Sequence, residues 1–302
     1  MFADIRRIDL WRGGAVGDFV LTLPALQTLV QAFPRARLRL IGSPRILSLA
    51  GNADILDHNS ALLAPLFAPE GPLPDRTRAL FAGTDLLLAY AVDPDGLLRR
   101  RLGQILGGRL LIHDPRPTAH QRQPVREHLL KPLHQWGLSA KDRLPRLSPS
   151  PAGHQYGQKI DLPQRTIVLH PGSGGPHKCW PWEHFAALAE ALQIKGRSVV
   201  ALRGPADSSA PLPCPVFDPP TLPQVTGLLQ RAHFFVGNDS GPGHIAAALG
   251  RPTLTLFGPT DPLVWAPAGP RAHFLQAPNG DLNALGVEDV LRATLAALGT
   301  IP

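Results

Sequence analysis

Phe234-Phe235-Val236-Gly237-Asn238-Asp239-Ser240-Gly241-Pro242-Gly243-His244 leads through Ile245-Ala246-Ala247-Ala248-Leu249 to Thr253-Leu254-Thr255-Leu256-Phe257. An apolar run breaks into a polar, glycine-rich turn. The turn opens a helical stretch, Gly243–Leu249, and a β-branched run, Thr253–Phe257, follows. Strand, helix and strand in so short a space form one βαβ unit, and such a crossover joins parallel strands. The turn lies where the first strand, Phe234–Gly237, feeds the helix. Backbone N–H groups at a helix start have no partner of their own, and the dipole adds roughly half a positive charge there. The stretch is both a fold signature and an anion site in waiting.

The same alternation extends outward. Thr166–His170 and Ser198–Leu202 read as strands, with helices at Trp182–Gln193, Leu222–Arg231 and Val287–Leu298. The first half repeats the theme with strands at Ile5–Trp11, Arg37–Ile41, Asp85–Val92 and Arg109–His113. Its helices fall at Phe19–Phe33, Gly96–Leu106 and Val125–Trp136, and Leu21, Ala25, Leu29 and Ala32 share one face of the first. Between the halves, Leu144–Gln164 is rich in proline, serine and glycine without periodicity and reads as a linker. The expected fold is α/β, with two Rossmann-like domains at 1–150 and 151–302. Ligands belong at the carboxyl ends of such strands.

Composition narrows the function classes. The chain has 302 residues, 44% hydrophobic and 18% charged, which is globular. Its longest apolar run, Leu86–Val92, is far short of the ~18 residues of a membrane span. The start, Met1 to Asp9, carries acids and no apolar stretch, against a secretory signal. Two cysteines, Cys179 and Cys214, supply neither a disulfide framework nor a cysteine-rich zinc site, and a reducing cytoplasm suits them. Charge is uneven: residues 1–150 hold 20 Lys/Arg against 13 Asp/Glu, and residues 151–302 hold 10 against 10. Of the bases 25 are arginine and 5 lysine. A basic half attracts phosphates. Nucleic acid is excluded as partner, because single-strand binding needs interleaved aromatics and the first half has few.

Three loops carry chemistry, each after a strand. Gly13-Gly14-Ala15-Val16-Gly17-Asp18 is neither a P-loop nor a dinucleotide fingerprint. Asp18 reads there either as a helix cap or as a catalytic carboxylate at the crevice. The second loop is His170-Pro171-Gly172-Ser173-Gly174-Gly175-Pro176-His177-Lys178-Cys179-Trp180-Pro181. Its small residues free backbone N–H groups for an anion and Lys178 adds a point charge; no metal site is expected. The third is Asp239-Ser240-Gly241-Pro242-Gly243-His244. An Asp-Ser-Gly-x-x-His run tempts a hydrolase reading, but the G-x-S-x-G elbow is missing.

Taken together, these loops resemble glycosyltransferase family 9, the lipopolysaccharide heptosyltransferase family. The resemblance rests on Gly-Asp-x-x-x-Thr-x-Pro-Ala-Leu from Gly17, His-Pro-Gly-Ser from His170, and Lys-x-Trp-Pro from Lys178. It rests also on Asp-Ser-Gly-Pro-x-His-x-Ala-Ala-Ala-Leu-Gly-x-Pro-Thr from Asp239 and Phe-Gly-Pro-Thr-Asp-Pro from Phe257. It implies a GT-B fold of two facing Rossmann-like domains. It implies an inverting, metal-independent, cofactor-free transfer from a nucleotide-sugar, with ADP-heptose the best-known donor. The acceptor would be an anionic glycolipid, the lipopolysaccharide core, met at the inner membrane surface by a cytoplasmic protein.

By that resemblance Asp18 falls on the catalytic base and Lys178 on the lysine at the donor diphosphate. Ser173, Gly174, Asp239, Ser240, Gly241 and His244 fall around the donor. Where relatives carry a ribose-binding glutamate, this chain has Arg203-Gly204-Pro205-Ala206-Asp207, and Asp207 is the substitute. The charge split adds Arg99 and Arg100, in the run Arg99-Arg100-Arg101, as acceptor-binding residues. A nucleotide-sugar epimerase, which would react without an acceptor, and a non-catalytic binder of nucleotide-sugar or glycolipid are the rival readings.

Overall fold

β1 (Arg7–Arg12) stands at the centre of a five-stranded parallel sheet, hydrogen-bonded on both sides. Leu10 lies opposite Leu40 on one neighbour and Leu88 on the other. The computed structural model describes residues 4–299 except 52, 119, 121, 205, 206, 208 and 220. It divides into two units: residues up to Ala15 with Thr22–Arg143, and Val16–Leu21 with Leu144 onward.

The first unit runs β1, α1 (Val16–Ala32) from Thr22 onward, its start belonging to the second unit, β2 (Arg37–Gly42), α2 (Pro44–Leu47), β3 (Asp54–Asp57), α3 (Asp75–Leu80) and β4 (Leu86–Tyr90). It continues with α4 (Leu97–Leu106), β5 (Leu110–His113) and α5 (Val125–Leu130), and its strand order is β3-β2-β1-β4-β5. β4 is buried at every residue, as a parallel strand covered on both faces must be. One buried charge is built in. Asp9 on β1 has no exposure, and its carboxylate accepts from Arg39 Nε (3.0 Å), Arg7 Nε (3.3 Å) and Thr84 Oγ1 (2.8 Å). Two guanidinium groups and a hydroxyl offset its desolvation.

Leu21, Ala25 and Leu29 are buried on α1 as their spacing predicts, while Ala32 at its end is exposed. The helix starts earlier than predicted, so Asp18 is its third residue rather than its cap. α5 is shorter than the predicted Val125–Trp136. A 3-10 segment, Lys131–Trp136, takes over at Pro132, which has no N–H for an α-helical bond.

His113, at the end of β5, stacks on His128 with ring centroids 4.4 Å apart and meets the ring of Tyr90 edge-on. Burial first, then the charge of His128, hold its pKa down to about 4, below the ordinary 6.5. Between those values the unfolded chain binds a proton that the folded chain refuses. Stability from this residue is therefore whole above about pH 6.5 and is lost as pH falls toward 4. In His113→Phe, which keeps a ring in the stack, melting temperature is expected to fall less steeply from pH 6.5 to 4. Equal slopes in variant and parent would refute the assignment.

The second unit runs α6 (Pro151–Lys159), β6 (Ile167–His170), α7 (Trp182–Ile194), β7 (Val199–Leu202), β8 (Val216–Phe217) and α8 (Leu222–Arg231). Then come β9 (Phe234–Asn238), α9 (Gly241–Ala248), β10 (Thr253–Phe257), α10 (Pro262–Trp265), β11 (Ala272–Gln276) and α11 (Val287–Gly299). The order is β11-β10-β9-β6-β7-β8, all parallel. Trp180, Phe185, Phe234, Val236, Leu254 and Leu291 belong to its main core.

The predicted linker needs correction, because it contains α6. Ser150 caps that helix, its hydroxyl accepting from Gly153 N–H at 3.3 Å, and Pro151 sits in the first turn where its missing N–H costs nothing. Gly153 and Gly157, four residues apart on one face, let α6 lie directly on α8. A Cβ on Gly153 would stand 2.3 Å from the Pro223 carbonyl oxygen, and one on Gly227 2.0 Å from that of Gly153. Arg231 closes the end of α6 with bonds to the carbonyls of Gly157 (2.9 Å), Ile160 (2.8 Å) and Leu162 (2.9 Å). Gly227→Ala forces backbone apart from backbone. It is expected to cost about 1–3 kcal/mol in urea denaturation, the usual range for overpacking. Gly174→Ala, with nothing within 4 Å of the new methyl, is the control that leaves stability unchanged.

Candidate functional site

In the second sheet the chain moves from β6 outward through β7 to β8, then returns to β9 on the other side of β6 and moves outward through β10 to β11. The switch point lies between β6 and β9. In open parallel sheets the ligand crevice lies outside the carboxyl ends at that point. The loop Pro171–Pro181 leaves β6 there, and Asp239-Ser240 leaves β9 there.

α9 opens on Ser240, whose backbone is extended (φ −157°, ψ 165°) and whose side chain makes no bond to its own helix. Ser240 Oγ is buried without a partner among the described residues. Pro242 in the first turn has no N–H, so Gly241 and Gly243 carry the unfilled donors of the helix start. A Cβ on Gly241 would stand 2.8 Å from Val16 Cβ, so glycine is required for that approach.

Lys178 and Ser173 both reach Asp239. Lys178 Nζ donates to Asp239 Oδ2 at 2.9 Å, and Ser173 Oγ donates to the Asp239 carbonyl at 2.7 Å. The lysine is a third exposed and the carboxylate a tenth, so the pair is half-buried. Gly174 has open space above it. The loop thus presents a hydroxyl, a bare backbone and an ammonium at one place, beside the α9 start.

His244, one turn into α9, is buried and lies against Gly17. A Cβ on that glycine would be 2.8 Å from His244 Cδ2. Burial is the largest influence on the His244 ring and pushes its pKa down; the carboxylates of Asp239 and Asp18 push it up and Lys178 down. The ring is neutral at neutral pH, and Asp18, Asp239 and Lys178 are all near enough to act on it. The structure therefore brings together Asp18, Ser173, Gly174, Lys178, Asp239, Ser240, Gly241 and His244.

Asp207, the candidate for the ribose, is held by its own loop. Its carboxylate turns into its own loop, where it accepts from Gly204 N–H at 2.6 Å and lies 3.7 Å from His170 Nδ1. It packs so tightly over Gly172 that a Cβ there would stand 1.9 Å from Oδ1. Its side chain is 9% exposed, and its oxygens brace two loops. His170 beneath it donates from Nδ1 to the Leu202 carbonyl (2.9 Å), and burial holds its pKa down.

In the first unit Arg99 and Arg100 are exposed on α4, each with one bond to a backbone carbonyl: Ile112 at 3.0 Å and Asp95 at 2.6 Å. The third arginine of the run points inward. Arg101 donates to the carbonyls of Ala68 (2.9 Å), Glu70 (2.8 Å) and Gly71 (2.5 Å) and holds that loop. Sequence reasoning also passed over Asn238. Its side chain, at the end of β9, bonds to the backbone at Pro171 and Trp180. The signal available was an amide at the strand end, just before the anion turn. Among the described residues no three His, Cys, Asp or Glu side chains are grouped to hold a metal ion, and no helix is long and apolar enough to cross a membrane.

Residues 121–293, more than half of the chain, match the family described as "Glycosyltransferase family 9 (heptosyltransferase)". The chain is 33% identical over 163 residues to lipopolysaccharide heptosyltransferase 3 of Escherichia coli K12, covering 45% of this chain and 47% of that one. It is 34% identical over 136 residues to lipooligosaccharide heptosyltransferase 2 of Haemophilus influenzae, covering 40% and 39%. The chain thus spans about half the length of the first of these relatives and less of the second. A glycosyl transferase family 9 structure from Veillonella parvula superimposes with a TM-score of 0.79 at 19% identity, covering 100% of this chain and 99% of that one. The ADP-heptose lipopolysaccharide heptosyltransferase II of E. coli does so with 0.71 at 21%, covering 97% and 98%. At such identities the likeness establishes the fold, GT-B, with its two parallel-sheet α/β domains.

Proposed function

The chain belongs to glycosyltransferase family 9, and from that membership we propose that it transfers a sugar from a nucleotide-sugar to a lipopolysaccharide core acceptor. Heptose from ADP-heptose is the donor group we assign. The observation that carries this reading is the convergence of Lys178, Ser173 and the open start of α9 beside Asp18. A diphosphate leaving group needs fixed positive charge where its own negative charge builds, and a cation with helix amides supplies that. The acceptor hydroxyl needs a base, and Asp18 is the carboxylate beside that cradle.

In this reading Asp18 takes the hydroxyl proton as the oxygen attacks the anomeric carbon. The bond to the diphosphate breaks on the opposite face, so the sugar is delivered with inverted configuration. Lys178, Ser173, Gly174 and the Ser240-Gly241 turn receive the released nucleoside diphosphate. Asp239 aims Lys178, and His244, held neutral, packs the first turn of α1 against the donor loop. Lys178 and the helix start neutralise the leaving group, so no divalent ion is required. The first unit, with the basic excess, takes the anionic glycolipid, and the protein works at the cytoplasmic face of the inner membrane.

A donor panel tests the proposal. ADP-heptose is expected to bind in calorimetry more tightly than UDP-, GDP- or other ADP-sugars, and to be consumed only when a lipopolysaccharide core acceptor is present. Consumption without acceptor would favour an epimerase, and binding without consumption a non-catalytic protein. EDTA is expected to leave the rate unchanged; inhibition reversed by a divalent ion overturns the metal-free mechanism. Charge reversal at Arg99 or Arg100 is expected to raise acceptor KM, more so at low salt where screening is weak, with donor affinity unchanged. Equal damage to donor binding would show that the basic half is not the acceptor side.

A further inference from the structure

We propose that Asn238 is the positioning residue of the donor loop: it ties both ends of Pro171–Trp180 to the end of β9. The inference rests on the reading that this loop holds the donor diphosphate, and goes beyond it by naming what gives the loop its shape. Asn238 is wholly buried. Its Oδ1 accepts from the Trp180 backbone N–H at 3.0 Å, and its Nδ2 donates to the Pro171 carbonyl at 2.5 Å. An uncharged amide is suited to this, because one planar group both accepts and donates. An aspartate in its place would still accept from Trp180 but would set an oxygen against the Pro171 carbonyl.

Both tied ends are otherwise firm. Pro171 follows the buried strand β6. Trp180 is buried, its Nε1 donates to the Leu285 carbonyl at 2.9 Å, and its ring meets Phe185 with centroids 4.9 Å apart. What lies between is glycine-rich and would sample many shapes if released. Pinning both ends fixes where Ser173 and Lys178 emerge, and both then reach the very next residue, Asp239. The pair Asn238-Asp239 thus sets the loop twice, by its ends and by its working side chains. A loop already in its bound shape loses less entropy on binding, so affinity for the donor follows from Asn238 although Asn238 bonds only to the protein backbone.

The test uses the full chain with ADP and UDP as probes. In Asn238→Asp, hydrogen exchange of the amides in 171–180 is expected to quicken at least about tenfold, with β6 and α7 unchanged. The Kd for ADP rises by roughly 10–100-fold, the range for losing one or two buried hydrogen bonds. Donor KM rises in step, acceptor KM does not, and saturating ADP restores loop protection. Asn238→Ser, whose hydroxyl also donates and accepts but over a shorter reach, gives a partial effect and serves if the aspartate variant does not fold. Unchanged loop exchange overturns the proposal. So does a fall in active fraction with the Kd and both KM values unchanged, the mark of a merely structural residue. If the parent protein binds neither ADP nor UDP, the donor-site reading fails, and loop exchange still decides whether Asn238 positions the loop.

Discussion

A protein carrying Asp18→Asn is expected to fold normally and to transfer sugar roughly 10²–10⁴ times more slowly, the range for loss of a general base. Asp18 is the third residue of α1, so its carboxylate also faces the positive end of that helix. That interaction is worth about 0.3–1 kcal/mol at a helix start, and asparagine keeps the size of the side chain and an oxygen that can still accept. Melting temperature should therefore move little while kcat collapses. The neighbouring contacts stay, because the substitution leaves Gly17 against His244 and Val16 against Gly241. Donor affinity should be nearly unchanged, since the diphosphate is assigned to Lys178 and the α9 start. The measurement is kcat at saturating donor and acceptor, with a thermal melt alongside. A rate within a few-fold of the parent would remove Asp18 from the chemistry.

How far the sequence carried the fold depends on how strongly each element signals burial. Central strands such as β4 and β10 are buried throughout, built from apolar and β-branched residues, and were predicted to within two residues. β3, β8 and β11 were not predicted, and all three lie toward sheet edges. β8 has two residues, and β11 carries exposed His273 and Phe274, so neither shows an apolar run. α6 was hidden by its own packing. Gly153 and Gly157 read as punctuation, yet they are the contact surface of the helix. The site was legible where single motifs supply several members, as Asp239 to His244 do. The sequence did not show that Asp207 also serves its loop, because the contacts of its carboxylate with Gly172 and Gly204 have no sequence pattern. It was silent at Asn238, since a buried amide has no periodic signature and its partners, Pro171 and Trp180, are distant in the chain.

Lys178→Ala is expected to weaken donor binding and slow transfer together, by about 10²–10³ in rate, as when one donor to a developing anion is removed. The two effects travel together because one ammonium meets the bound diphosphate and the departing one. The variant also leaves a second problem. Asp239 is nine-tenths buried and loses its 2.9 Å partner, so an unpaired carboxylate faces the incoming anion. Part of the lost affinity is then repulsion from Asp239 rather than attraction missing from Lys178. Adding Asp239→Asn to Lys178→Ala should therefore recover some ADP affinity, while the rate stays low because no cation remains for the leaving group. The two changes are coupled through a direct contact and should be non-additive, as a double-mutant cycle on ADP binding would measure. A strictly additive cycle would mean that the ion pair does not govern the site. Donor affinity and rate both unchanged in Lys178→Ala would mean that the loop from β6 is not where the diphosphate binds.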